Sequence, residues 1–293
     1  MPLKTIKKDT ADTLTLEWIL HVQDYKLILD KDHCAGCQIC SLACPKEAIR
    51  AEKQPKTTGQ KTKKTKKAKI DIDLSKCNFC GICDVLCPYG AIKVTVNGKH
   101  ILSVVEKQSF PQLIRDVKAN TDKFPTDQKK SEEACPLGLI KLSDQKVEVD
   151  LEHCPCCRVC ELKLPQGAIQ VRKFLSGRIV VHQEKCPEGC TDCIDVCPID
   201  GALHLSAHGK KVEANGMFCI YCGACKIVCP AEQALELERT HIDHTPVRSG
   251  AWNKALERLT SPVAMTRELK TKGSLRARDS VKKRVGLKED QHA

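Results

Sequence analysis

The chain has 293 residues, of which 21 are cysteine and only 3% are aromatic, and its formal net charge is +11. So few large apolar side chains argue against one big packed core and favour several small units held by internal staples. The charge invites a nucleic-acid reading, but it counts every cysteine as neutral, which metal ligation would change.

In chain order, the first residues, "MPLKTIKKDTADTLTLEW", lack the apolar stretch and cleavage site of a secretory signal. No stretch nears the roughly 18 uninterrupted apolar residues of a membrane span. The expectation is a cytoplasmic protein without a membrane span, in which clustered thiols stay reduced and bind metals instead of pairing as disulfides. A short alternating lead-in, "YKLILDKDHC", opens the first cysteine run, "CAGCQICSLACP", over 34–45. The stretch "EKQPKTTGQKTKKTKKAK" follows, a polar, lysine-rich insertion over 53–69 with no apolar period. It reads as a solvated excursion, with docking of an acidic partner as the functional alternative. The lead-in "AKIDIDLSKC" then opens a second run, "CNFCGICDVLCP", over 77–88. Residues 109–121, "SFPQLIRDVKANT", carry a serine cap and an early proline and predict a linking helix.

Next come an isolated Cys135-Pro136 and, after "KVEVDLEHC", the incomplete run "CPCCRVCELKLP", in which Leu164 precedes Pro165. "GRIVVHQEKC" opens a stretched copy, "CPEGCTDCIDVCP", over 186–198, and "CIYCGACKIVCP" fills 219–230. Beyond 240 the cysteines stop. The basic segment 241–293 predicts two or three amphipathic helices, one started by Ser261-Pro262 and ended by Gly273. Such a tail has little core of its own and is expected to lie on another subunit or on the preceding modules. His241 and His244 read as part of a surface loop.

Three cysteines at two-residue intervals, a fourth after three more and then a proline are the bacterial ferredoxin spacing for [4Fe–4S] clusters. Three thiolates on one loop can wrap a cube before the chain turns into a helix. The fourth points to the neighbouring cube, and the proline fixes the turn where the chain leaves. Soft thiolates also suit zinc, but zinc sites use two separated knuckles, and the repeated spacing here decides for iron and sulfur. Each run is followed by a small and then an aliphatic residue: Ala48-Ile49, Ala91-Ile92, Ala168-Ile169, Ala202-Leu203 and Ala234-Leu235. These pairs are expected to cover the cluster as well as to pack the core. Gly81 and Gly223, inside their loops, are expected to admit close backbone approach to sulfide. A cube on four thiolates carries about −2, so five would bring the net charge to about +1.

Counting back from Cys135 by the same template gives Ser131, Gln128 and Pro125. With Leu164, these four are all the ligand positions of one cluster under the crossed scheme, and the four cysteines that remain are all those of the other. Six half-repeats therefore make three modules holding two, one and two clusters, five [4Fe–4S] in all. The expected ligand sets are Cys34, Cys37 and Cys40 with Cys87, and Cys77, Cys80 and Cys83 with Cys44. The middle set is Cys154, Cys157 and Cys160 with Cys135. The last two are Cys186, Cys190 and Cys193 with Cys229, and Cys219, Cys222 and Cys225 with Cys197. Cys156 is read as a small buried side chain, with an exchange of roles with Cys157 left open. The fold class is α+β: three tandem bacterial-type two-[4Fe–4S] ferredoxin modules, the middle one with a single cluster, plus a helical C-terminal tail. The boundaries are 1–100, a helical linker 101–124, a degenerate module 125–175, a third module 176–240 and the tail 241–293. The middle cluster is expected to bridge the two outer pairs.

The repeated halves resemble archaeal polyferredoxins. The ending "HTPVRSGAWNKALERLTSPVAM" is similar to that of the polyferredoxin component of formylmethanofuran dehydrogenase from methanogens and their methane- or alkane-oxidising relatives. The resemblance implies a place in a large redox complex that interconverts CO2 and formylmethanofuran at a tungsten or molybdenum pterin centre on another subunit. Its partners would be those subunits and a small ferredoxin subunit, with this chain wiring electrons to or from the pterin centre. Members of that group commonly carry more modules than three. The chain itself shows no nucleotide-binding glycine loop and no nucleophile–base constellation, so it reads as a non-catalytic electron-transfer subunit. The alternative is a polyferredoxin of a hydrogenase or heterodisulfide reductase system, or a free shuttle, which would need no tail. A redox-sensing nucleic-acid binder would need stacking aromatics or a recognition helix beside its charges, and neither is visible.

Overall fold

The structure, a computed structural model, describes residues 2–52, 67–125, 127–143, 146–206, 209, 211–231, 233–247 and 251–267. Short alternating segments become strands, and each cysteine run leads through a one-turn helix into another strand. The first such series is β3 (Asp24–Asp30), α1 (Ile39–Ala43), β4 (Ile49–Glu52), β5 (Lys69–Ile72), α2 (Ile82–Val85) and β6 (Ile92–Val96). β3 pairs antiparallel with β6, and β4 with β5, so the outer and inner strands nest.

The nesting recurs twice. After α3 (Ser103–Glu106), β7 (Asp116–Ala119) pairs with β10 (Ile169–Arg172) around β8 (Ile140–Ser143) and β9 (Lys146–Val149). Helices α4 (Gln128–Glu133) and α5 (Val159–Lys163) belong to this middle nest. In the last nest, β11 (Leu175–Val181) pairs with β14 (Leu235–Ile242) around β12 (Leu203–Leu205) and β13 (Val212–Ala214). It carries α6 (Asp192–Val196) and α7 (Ala224–Val228). The five small–aliphatic pairs after the cysteine runs are all buried, and Leu139-Ile140 supplies a sixth. β14 continues to Ile242, two residues past the boundary read from sequence.

Two features depart from the sequence expectations, and a third decides between two alternatives. First, β1 (Lys4–Asp9) and β2 (Thr13–Ile19) extend β3 and β6 into a four-stranded sheet in the order β1-β2-β3-β6. The alternation that buries Leu14 and Leu16 builds this addition. Second, 109–121 is not a helix. Its second half is strand β7, paired residue for residue with β10, and Arg115 ties the preceding chain to the carbonyls of Cys87 (2.8 Å) and Cys154 (3.0 Å). Tertiary pairing overrides a weak local helical preference, so the middle nest starts ahead of 125 and the helical linker is corrected to a strand.

Third, the described part of the tail lies on its own chain. Helix α8 (Ala251–Leu259) buries Trp252, Ala255, Leu256 and Leu259, a single stripe, and packs on α1. The Trp252 ring meets Phe110 edge-on at 5.3 Å, and its Nε1–H donates to His244 Nε2 at 3.1 Å. His244 is therefore a packing partner and not part of a surface loop. Ser261 opens a further helical turn, its Oγ accepting the Ala264 N–H at 3.3 Å. The tail end, position 273 included, and the lysine-rich insertion over 53–66 lie outside the described residues. No helix among the described residues is long and apolar enough to cross a membrane.

Trp252 is wholly buried at the contact of α8 with the rest of the chain. Trp252→Ala should destabilise the protein by about 3–5 kcal/mol, seen as an earlier urea transition in far-UV circular dichroism. An unchanged transition would mean that α8 contributes nothing to the fold.

Candidate metal centres

Four of the five cysteine loops begin with the same turn. The N–H of the first cysteine donates to the carbonyl four residues back: Cys34 to Asp30 (3.1 Å), Cys77 to Asp73 (3.0 Å), Cys186 to His182 (3.1 Å) and Cys219 to Asn215 (3.1 Å). The side chains of Asp30, Asp73, Asp150 and Asn215 accept further N–H groups within their turns. The residue before each second cysteine is left-handed: Gly36 (φ 67°), Phe79 (52°), Cys156 (54°), Gly189 (71°) and Tyr221 (54°). At Gly36 only glycine fits, because a Cβ would lie 2.7 Å from Ala68 N and 2.8 Å from Ala68 O. Gly81 and Gly223 have a task beyond the expected one, starting α2 and α7 at φ 80° and 92°.

None of the 21 cysteines is in a disulfide, and the nested strands bring them together across half-repeats. Burial pushes Cys34 up to about 11, and Cys87 from the other half adds repulsion. Cys40 is raised by burial and then by Cys34 and Cys87. Burial raises Cys83, with Cys80, Cys77, Asp84 and Cys44 adding to it. Cys160 is pushed up to about 12 by burial, then by Cys157, Cys135 and Cys154. Cys193 is likewise pushed up to about 12 by burial, then by Cys186, Cys190 and Cys229. Burial and then Cys222 push Cys197 up to about 12, and burial with Cys222, Cys219 and Cys197 raises Cys225. In each case a cysteine of the partner half is among the neighbours, and Cys83 also stands near Cys40 and Cys193 near Cys197 and Cys225.

The degenerate position is closed by other means. Ser131 is fully buried, its hydroxyl donating to Pro125 O at 3.2 Å, and Leu164 is buried. Gln128 does not join them: it is exposed and donates to Glu132 Oε1 at 2.9 Å. Cys156 occupies the left-handed slot that Gly36 and Tyr221 fill elsewhere, and it is wholly buried. Hydrogen bonding to Cys156 holds the Cys154 thiol down at about 7, while Cys157 stands with Cys135 and Cys154.

Three basic residues that sequence reasoning missed lie among the groups. Arg115 joins the carbonyls of Cys87 and Cys154, and its guanidinium stacks 5.5 Å from the Phe174 ring centre. Lys173 donates to Gly216 O (2.8 Å) and Cys219 O (2.7 Å). Burial pulls its ammonium down to about 8, against the thiols of Cys219 and Cys157. Arg239 is 6% exposed and donates to the carbonyls of Tyr221 (2.8 Å), Cys222 (2.8 Å) and Leu259 (3.2 Å). Only Arg239 left a trace in the sequence, because the alternation Leu235, Leu237, Arg239 turns it to the inner face of β14. Tyr89 of the first nest lines a cavity with Cys197, Cys219, Cys222 and Cys225 of the last, a contact that exists beside those the middle nest makes through Arg115 and Lys173. First and last nests therefore touch directly.

The residues fit thiolate-bound iron–sulfur groups. Apart from its four thiols, that cavity is lined almost wholly by apolar residues, among them Ile199, Ile220 and Leu237. Backbone N–H groups point at sulfur from Gly36 to Cys34 (3.4 Å), Ala91 to Cys87 (3.3 Å) and Tyr221 to Cys219 (3.4 Å). Among the described residues no three His, Cys, Asp or Glu side chains converge as they would on one ion. Thiolates at the corners of a cube stand farther apart than that.

The 4Fe-4S dicluster domain family matches residues 33–91 and again 178–230. The chain is 34% identical over 97 residues to the ferredoxin-type protein NapH of Haemophilus influenzae, a match covering 32% of each chain. It is 38% identical over 58 residues to a component of the ion-translocating oxidoreductase complex of Methanosarcina acetivorans, covering 20% of this chain and 22% of that one. These curated relatives are thus matched over less than a third of their length. Among solved structures, a chain of the formate dehydrogenase–heterodisulfide reductase–formylmethanofuran dehydrogenase complex from Methanospirillum hungatei is similar with a TM-score of 0.77 and 29% identity. The match covers 89% of this chain and 92% of that one. The chain carries two 4Fe-4S dicluster domains, and nearly the whole of it is similar in fold to a chain of that complex.

Gly36→Ala should lower stability by more than about 1 kcal/mol, because the Ala68 backbone stands in the way. Gly98, also at positive φ (74°), has nothing within 4 Å of an added Cβ, so Gly98→Ala should cost less. Equal shifts in the urea midpoint of the two variants would remove the steric contact as the reason for glycine in this loop.

Proposed function

We propose that the chain is a multi-cluster electron-transfer subunit of three ferredoxin modules, holding five [4Fe–4S] clusters on twenty of its cysteines. The observation that carries this reading is the crossed grouping: in each of the five sets, three cysteines from one half meet a fourth from the partner half. The strand pairing supports three modules, since the same nest occurs around residues 24–96, 116–172 and 175–242. Bound clusters would supply one-electron chemistry at low potential. The protein's own part is to present thiols, exclude water with the buried aliphatic pairs, and aim N–H groups and cations at sulfur.

The partner reading is a formylmethanofuran dehydrogenase complex, with tungsten or molybdenum pterin subunits and a small ferredoxin subunit. Its support is the likeness of nearly the whole chain to a chain of the Methanospirillum hungatei complex. That complex also contains heterodisulfide reductase and formate dehydrogenase, which supports the second reading, a polyferredoxin serving one of those systems. The position of α8 on its own chain removes the tail helix as a discriminator between a subunit and a shuttle. Native purification with identification of the co-purifying subunits decides among the three.

Iron analysis of the anaerobically prepared chain should give about 20 atoms with a similar number of sulfides. Cys135→Ala should lower the iron to about 16 or convert one cluster to a three-iron form, sparing the other four. About 24 irons per chain, or iron bound beside Ser131 and Leu164, would show the pairing scheme to be wrong.

A further inference from the structure

Tyr89 and Arg239 occupy the place where the first and last nests meet. Tyr89 follows Cys87 by two residues, so the backbone ties it to one set of thiols. Its ring, 3% exposed, lines the cavity walled by Cys197, Cys219, Cys222 and Cys225, which is a different set. The hydroxyl is buried and makes no hydrogen bond among the described residues. Burial raises this phenol, and Cys222, Cys197 and Cys37 around it add to the effect. Buried polar atoms without a partner are uncommon, and a metal-bound thiolate at Cys222 would be the acceptor that this hydroxyl lacks.

Arg239 approaches the same place from β14. Its N–H groups are spent on three backbone carbonyls, and no carboxylate among the described residues pairs with it. Its charge faces Cys37 on one side and Cys222, Cys219 and Cys225 on the other. A buried guanidinium without a counter-charge is unfavourable, and anionic thiolate-bound groups on both sides would supply that counter-charge. One cation placed between two sets stabilises the reduced, more negative state of both.

We propose that Arg239 and Tyr89 form a join shared by two [4Fe–4S] sites, that of Cys34, Cys37, Cys40 and Cys87 in the first module and that of Cys219, Cys222, Cys225 and Cys197 in the last. Arg239 raises the reduction potential on both sides, and Tyr89 donates its hydroxyl hydrogen to the Cys222 sulfur. The inference rests on the ligand sets proposed above. It makes the first and last modules direct neighbours for electron exchange, with the middle module beside the path and not within it. An electron crossing the join oxidises one side by one and reduces the other by one, and no bond or proton changes place.

The test is a stepwise anaerobic reduction of the loaded full chain with low-potential one-electron dyes, followed by electron paramagnetic resonance. Arg239→Met should make two sites about tenfold harder to reduce, about 59 mV for one electron, and leave the other three where they were. Arg239→Lys, which keeps the charge, should hold both near the parent values, which a purely steric role would not do. A shift in one site only, in none or equally in all, at undiminished iron content, overturns the shared join. Parent protein with clearly fewer than about 20 irons would instead mean that the ligand sets are wrong. If Arg239→Met loses iron, Tyr89→Phe decides, since it keeps the ring and removes only the hydroxyl. One site should then become about threefold harder to reduce, and no change in any site overturns the inference.

Discussion

The fold answers to one constraint, the crowding of sulfur. Most of the cysteines are buried or half-buried, and burial together with neighbouring thiols pushes up groups such as Cys34, Cys160, Cys193 and Cys197. Such a group releases its protons readily only to something positive that replaces them, and bound iron is that replacement. The thiols sit in a core that is otherwise chiefly aliphatic, since aromatic residues are only 3% of the chain. Folding and metal binding are for that reason one problem, and a domain this poor in large apolar side chains is stapled by what its thiols hold.

The backbone meets the constraint by repeating one local solution. A strand ends in an Asp, Asn or His whose carbonyl takes the N–H of the first cysteine, a left-handed residue reverses the chain, and a single helical turn follows. The solution persists where the residues have changed. Cys156 fills the left-handed slot without standing in the ligand position, and the lost site is closed by a buried serine bonded to Pro125 O. The middle nest keeps its strands although half its ligand positions are gone, which shows that strand pairing and aliphatic burial hold the scaffold there.

Around this repeated unit the chain adds protection. The β1–β2 hairpin carries Trp18, whose ring centre lies 5.0 Å from that of Phe79 inside the second cysteine loop. Helix α8 covers α1, and its Arg258 reaches Glu47 at 3.0 Å. Arg115 lies by Cys87 and Cys154, Lys173 by Cys219 and Cys157, and Arg239 by Cys37 and Cys222, so a basic side chain stands at each of these three meetings of cysteines from different nests. Negative centres brought close together in a low-dielectric interior repel strongly, and interposed cations offset that repulsion.

The sequence by itself determined the local chemistry. Cysteine spacing and the burial of the small–aliphatic pairs were legible because each depends on residues within a few positions of a cysteine, where covalent geometry leaves few options. The N-terminal sheet, the strand character of 116–119, the docking of α8 on α1 and the buried cations were not. Each depends on a partner far away in the chain: β7 is a strand because β10 lies beside it, and Arg239 is buried because α8 and the cysteine loops close over it. The order of the modules along the chain suggested a line with the middle group as its bridge. Tertiary packing adds a direct contact between the first and last nests, because Tyr89 fits an apolar cavity in the last nest. Sequence order fixes which groups are joined by peptide bonds, whereas apolar burial and charge compensation fix which ones touch.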